Sequence, residues 1–190
     1  KPDWLSFSNN VLSGTPSNSD VGDHNVELSA TDSSATVTQS FIITVTNVNN
    51  APTFTSTGET TATEDVAYTY TVTTNDVDTG DNVTVTATIK PDWLSFSNNV
   101  LSGTPSNDDV GDHNVELSAT DGSATATQSF IITVTNVNEP PTGYVTIDGE
   151  EKEGSTLTAN ISQVGDPDGL PETLSYQWQR RTQPNDIYVN

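Results

Sequence analysis

Along the chain, apolar side chains recur at every second position rather than at helical spacing. Val66, Tyr68, Tyr70 and Val72 alternate with polar residues, as do Val83, Val85, Ala87 and Ile89, then Val115, Leu117 and Ala119, and again Phe130, Ile132 and Val134. A period of two bounded by Asp, Asn, Gly and Pro clusters predicts half-buried antiparallel strands, because successive side chains of a strand point to opposite faces. Several such strands within a short stretch predict two sheets packed face to face. Trp93, Leu94, Phe96, Val100 and Leu101 are expected to close the core at one end, with Ser97-Asn98-Asn99 as a tight turn between short strands.

The pattern repeats. Residues 1–49 and 90–138 differ at only three positions, Ser19/Asp108, Ser33/Gly122 and Val37/Ala126, so the period is 89 residues. That length suits a small sandwich domain better than a solenoid unit. Lys1 corresponds to Lys90, inside a unit, and the chain is therefore expected to begin partway through a domain. The expected division is the C-terminal part of one repeat at 1–49, a complete repeat at 50–139 and the N-terminal part of a third module at 140–190. The proline-bearing stretches Asn-Val-Asn-Asn-Ala-Pro (47–52) and Asn-Val-Asn-Glu-Pro-Pro (136–141) serve as linkers. The wording changes after Pro141 but acidic landmarks persist: Glu64 maps to Glu153, and Asp76 and Asp78 map to Asp166 and Asp168. The fold class is all-β, a tandem of Greek-key β-sandwiches.

Composition narrows the function. Low hydrophobicity with a net charge of -21 warns of disorder, but 32 threonines and 19 valines, more than a quarter of the chain, favour strands. No stretch approaches the roughly 20 apolar residues of a membrane-spanning helix, so no direct membrane insertion is expected of this segment. The absence of cysteine excludes disulfides, thiolate metal sites and cysteine nucleophiles. The charge also repels phosphate backbones; nucleic acid is not an expected partner and multivalent cations are.

The densest chemistry is Asp76-Val77-Asp78-Thr79-Gly80-Asp81-Asn82, three carboxylates and an amide in seven residues between two predicted strands. Side by side they repel one another, and a hard divalent cation taking oxygen ligands removes that repulsion. Ca²⁺ suits such flexible, all-oxygen donors better than Mg²⁺, which demands tight octahedral geometry and retains its waters. Asp121 ends a late strand, Asn47, Asn49 and Asn50 lie in the linker, and Glu64 is expected to open an early strand. In a Greek-key sandwich the loop after the second strand, a late strand and the preceding linker can meet at one pole.

Asp76-x-Asp78-x-Gly80-x-Asn82, the Ala-Thr-Asp ending at Asp121 and the Asn-Val-Asn-x-x-Pro linkers resemble cadherin-type repeats. Pro91-Asp92-Trp93-Leu94-Ser95-Phe96 with Leu101-Ser102-Gly103-Thr104-Pro105 resembles the dystroglycan-type cadherin-like domains of large bacterial surface proteins, over residues 1–139. Residues 143–181, with Asp166-x-Asp168-Gly169-Leu170 and Tyr176-Gln177-Trp178-Gln179, resemble immunoglobulin-like repeats of bacterial adhesins. The resemblance implies that Asp76, Asp78, Asn82 and Asp121 bind Ca²⁺ at the junction with the preceding repeat. Asn47, Asn49 and Asn50 join them from the linker, and Asp20 and Asp32 are further candidates. It implies that Glu64 and Asp109 serve the next junction with Asn136, Asn138, Asp166 and Asp168. Linker asparagines where cadherins carry aspartate imply weaker binding.

Other features read more plainly. His24 and His113 occupy the same repeat position and are read as copied loop residues; no nucleophile elbow, His-Glu-x-x-His pair or phosphate loop occurs, so an enzyme is not expected. Thr-x-Thr runs are the solvated half of alternating strands, and Trp4, Trp93 and Trp178 are assigned to cores. The expected function is a calcium-binding stalk segment of a large extracellular, cell-surface adhesin. Its partners are neighbouring repeats, with a cell-surface protein or glycan engaged by other parts of the protein. The alternative is a carbohydrate-binding accessory module of a secreted polysaccharide-degrading enzyme.

Overall fold

The computed structural model describes residues 1–170, 175 and 177; Trp178 lies outside them. The chain divides into two compact units, Lys1–Val134 and Thr135–Asn190. In the first repeat copy, β1 (Leu5–Ser8) pairs with β2 (Val11–Gly14), and β3 (Gly22–Thr31) with β4 (Thr36–Val45). The second copy carries β5 (Thr53–Phe54), β6 (Thr61–Thr63), β7 (Tyr68–Thr71), β8 (Thr74–Asn75), β9 (Thr84–Ile89), β10 (Leu94–Ser97), β11 (Val100–Gly103), β12 (Gly111–Thr120) and β13 (Thr125–Thr135). Its sheets have the orders β6-β13-β12-β9 and β10-β11-β7, with β5 paired to β8 beside them. The chain crosses between these two sheets from β6 to β7, from β9 to β10 and from β11 to β12, as a Greek-key sandwich requires. In the second unit, β14 (Thr142–Gly143) pairs with β17 (Val164–Gly165), and β15 (Thr146–Asp148) with β16 (Thr158–Asn160). Among the described residues no helix is long and apolar enough to cross a membrane.

The core of the second copy follows the period-two pattern. Tyr68, Tyr70, Val72, Leu94, Leu101, Val115, Leu117, Ile132 and Val134 are buried together, with Val85, Ala87, Trp93, Phe96 and Phe130 packed against them. Edge-on ring pairs, Tyr68 to Trp93 at 5.8 Å and Tyr70 to Phe130 at 5.6 Å, fill the space between sheets in the geometry that aromatic quadrupoles favour. Two residues of the alternating apolar phase face solvent instead. Val66 precedes β7, because Asp65 turns the chain with φ of 58°. Ile89 pairs with Glu116 after a register shift, and that bulge moves it from the inner to the outer phase of β9. Asn98 and Asn99, at φ 50° and 60°, form the two-residue turn between β10 and β11. Gly103 is required at its place, since a Cβ there would lie 2.0 Å from the Trp93 carbonyl oxygen.

A candidate metal centre at the head of the second repeat

The loop after β8 is shaped by its own carboxylates. The Asp78 N–H donates to Asp76 Oδ1 at 2.9 Å, the Asp81 N–H donates to the Asp78 carbonyl at 3.3 Å, and Gly80 takes φ of 102°. This curl, of the kind aspartate favours at turns, brings one oxygen each of Asp76, Asp78 and Asp81 within 4.8 Å of one another. Asp78 is only 4% exposed. Its Oδ2 accepts the Asn50 N–H at 2.6 Å, whereas its Oδ1 and Asp76 Oδ2 are buried with no hydrogen-bond partner.

A buried anionic oxygen with nothing donating to it is unfavourable unless a cation lies against it. Partial desolvation, joined by the charges of Asp76, Asp78 and Asp121, holds the Asp81 carboxyl above its ordinary range. Every donor is a hard oxygen, some are exposed and free to adjust, and no nitrogen or sulfur ligand takes part. The donor set therefore suits a hard divalent cation.

The linker arrives at the same place. Asn49 Nδ2 donates to Asp121 Oδ2 at 3.0 Å and to the Asn50 carbonyl at 3.1 Å. Asp121, in the turn between β12 and β13, also accepts the N–H groups of Ala124 at 2.7 Å and Ser123 at 2.6 Å, and these bonds hold its carboxyl below the usual range. From the first copy, the Asn18 side-chain amide donates to the Val77 carbonyl. Asn82 and Asn47 are exposed.

The other candidates are engaged locally. Asp20 Oδ2 accepts the N–H and Oγ–H of Ser17 at 2.8 and 2.6 Å, and its copy Asp109 does the same with Ser106 at 2.8 and 2.7 Å; these bonds hold both carboxyls below their ordinary range. Asp32 Oδ1 closes its own turn by accepting the N–H groups of Ala35 and Ser34, and its carboxyl is likewise lowered. Glu64 is 1% exposed and follows β6 rather than opening a strand. In the second unit, Asn136 is exposed. There the Asp168 N–H donates to Asp166 Oδ1 at 3.0 Å, the Glu139 N–H to Asp168 Oδ2 at 2.8 Å, and Asn138 Nδ2 to the Glu139 carbonyl at 3.0 Å. This reproduces, bond for bond, the pattern of Asp76, Asp78, Asn49 and Asn50.

Sequence reasoning passed over two residues. Asp81 is one of the crowded charges, but the resemblance motif skips from Gly80 to Asn82. Asn18 lies 59 residues from Val77 and carries no sequence signal of that contact.

Solved structures to which the chain is similar include a variant of the endo-fucoidan hydrolase MfFcnA4 from glycoside hydrolase family 107, 30% identical over 72% of this chain and 22% of that one, with a TM-score of 0.42. They also include the extracellular cadherin domains 1–4 of protocadherin gamma B7, 19% identical over 75% of this chain and 41% of that one, with a TM-score of 0.51. Human protocadherin-24 EC1-2 is 16% identical over 74% and 80%, with a TM-score of 0.48. The chain spans 22%, 32% and 26% of the three fucoidan hydrolase chains it resembles. Curated proteins give no match. The protocadherin gamma B7 likeness is one of fold, in keeping with a tandem of Ig-like or cadherin-like sandwiches. The family described as Putative Ig domain matches residues 1–46 and 51–135, and the chain belongs to it.

Proposed function

We propose that this chain is a stalk segment of a long extracellular, surface-attached adhesin, in which Ca²⁺ stiffens the joints between tandem sandwiches. The observation that carries the reading is the buried Asp78 and Asp76 oxygens that have no hydrogen-bond partner and converge with Asp81 where the linker arrives. Asp76, Asp78 and Asp81 would hold the ion, with Asp121, Asn82 and the linker residues Asn47, Asn49 and Asn50 around it. The repeated bonding of Asp166 and Asp168 marks a second loop of the same kind in the second unit. In this reading the repeats run over 1–49, 50–139 and 140–190. The Pro91–Phe96 and Leu101–Pro105 signature supports the dystroglycan-type subclass.

The residues act by sharing carboxylates between linker and loop. The Asn50 N–H fixes one oxygen of Asp78, and Asn49 ties the linker to Asp121, so rotating the linker breaks both bonds. Bound Ca²⁺ supplies the positive charge that offsets the cluster. Without it, mutual repulsion works against both linker bonds and the joint bends. The test compares the chain in Ca²⁺ and in chelator by thermal melting and small-angle scattering. The reading expects a higher melting temperature and a longer particle in Ca²⁺; identical curves in both conditions overturn it.

A further inference from the structure

We infer that Asn18 of the first copy is a positioning residue for the ion site at the head of the second: it sets how readily that site fills without itself holding the ion. The inference rests on the calcium reading. The Asn18 side-chain amide donates to the carbonyl of Val77, which stands between Asp76 and Asp78. The same peptide group presents the Asp78 N–H, which donates to Asp76 Oδ1 at 2.9 Å. Because a peptide is planar, holding its carbonyl from the first copy and its N–H from Asp76 fixes the plane, and with it the stems of both aspartates. Asp78 Oδ2 is taken by the Asn50 N–H at 2.6 Å. What these bonds leave are Asp76 Oδ2 and Asp78 Oδ1, the two buried oxygens that no hydrogen bond reaches.

An amide suits this task where a carboxylate would not. It is a neutral donor and adds nothing to the repulsion among Asp76, Asp78 and Asp81, whereas an aspartate at 18 could only accept and would face a carbonyl. Asn18 is itself held. It opens a one-turn segment, Asn18–Asp20, closed by the N–H and Oγ–H of Ser17 on Asp20 Oδ2 at 2.8 and 2.6 Å. The Asp20 carbonyl can only accept, so His24 Nε2 on β3 donates to it, at 2.6 Å, and the His24 ring meets Trp4 edge-on at 5.7 Å. The copied histidine thereby carries Asn18 on the sheet of its own repeat. The second copy builds the same turn with Ser106, Asp109, His113 and Trp93, so the device travels with the repeat. A loop whose backbone is held before the ion arrives loses less conformational entropy on binding, and its affinity is higher for it.

The test is a Ca²⁺ titration of the whole chain followed by amide NMR, with Gly80 reporting this loop and Gly169 the corresponding loop of the second unit. Asn18→Ala should weaken the binding read at Gly80 about fivefold, as for the loss of one hydrogen bond, and leave the curve at Gly169 unchanged. In chelator the same variant should speed hydrogen exchange of the Asp78 N–H about fivefold, while the amides of β12 and β13 keep the parent's rates. Equal affinity in parent and variant overturns the inference. So does weaker binding with unchanged Asp78 exchange, which would make Asn18 a ligand through Oδ1. Faster exchange throughout the second copy overturns it too, since Asn18 would then be a general brace. Failure of the calcium reading shows separately: the Gly80 amide of the parent then ignores added Ca²⁺, and the inference falls with that reading.

Discussion

Replacing Asp78 by asparagine separates electrostatics from packing, because the amide keeps an oxygen for the Asn50 N–H, now 2.6 Å from Oδ2, and removes the charge. Asp76 and Asp78 offer oxygens no more than 4.8 Å apart. At that separation two unit charges repel by about 1 kcal/mol at the dielectric of water and about 3.5 kcal/mol at the effective value suited to protein surfaces. Taking the lower end, since Asp76 is only half-buried, Asp78→Asn in chelator should stabilise the second copy by about 1 kcal/mol, or about 4–8 °C in melting temperature. Calcium reverses the comparison of responses. At tenfold above the dissociation constant, about 10 mM for a weak extracellular site, Ca²⁺ adds about 1.4 kcal/mol to the parent. That is about 6–11 °C, and the variant should move by less than about 2 °C. Melting followed by circular dichroism in both conditions decides it. If the variant melts below the parent in chelator, the carboxylate serves the fold itself and the repulsion argument fails.

Three further outcomes follow from the same structure. In chelator, Asp81 binds its proton more readily folded than unfolded, so stability should rise as pH falls toward 3.8. Below that value Asp20, Asp32, Asp109 and Asp121, each lowered from 3.8 when folded, lose the stability their hydrogen bonds give the charged form, and melting temperature should fall; a steady decline from neutral pH contradicts this. Leu117→Ala, at a fully buried position, should cost about 2–5 kcal/mol, while Leu28→Ala, its half-buried copy, costs about 1 kcal/mol or less; amide exchange resolved by copy measures both, and equal losses refute the burial argument. Gly103→Ala forces β11 away from the Trp93 carbonyl and should cost about 3 kcal/mol or more in chemical denaturation; a neutral result would mean the strands can part without penalty.

The inner face of the sandwich was legible because burial imposes its period on the sequence: Val115, Leu117 and Ala119 alternate in type and are buried as that alternation requires. Val66 and Ile89 mark the limit of that signal. A positive φ at Asp65 and a bulge opposite Glu116 shift phase without changing the apolar count, and alternation cannot register either. The turn at Asn98 and Asn99 was readable since asparagine tolerates left-handed backbone. At the candidate centre, Asp76 and Asp78 stood out by local crowding. The contribution of Asn50 did not, because its backbone N–H makes the bond and any residue but proline could supply it. Identical sequence also gives different burial: Ala119 is fully buried on β12, which is paired on both sides, and its copy Ala30 is exposed on β3, which pairs with β4 alone.

The most direct test of the central claim is a crystal of the chain grown in calcium, with anomalous scattering recorded to locate the ion. The account predicts a Ca²⁺ peak about 2.3–2.6 Å from oxygens of Asp76, Asp78 and Asp81. Calcium-saturated crystals with no peak there, and with those three carboxylates turned apart into solvent, would contradict it.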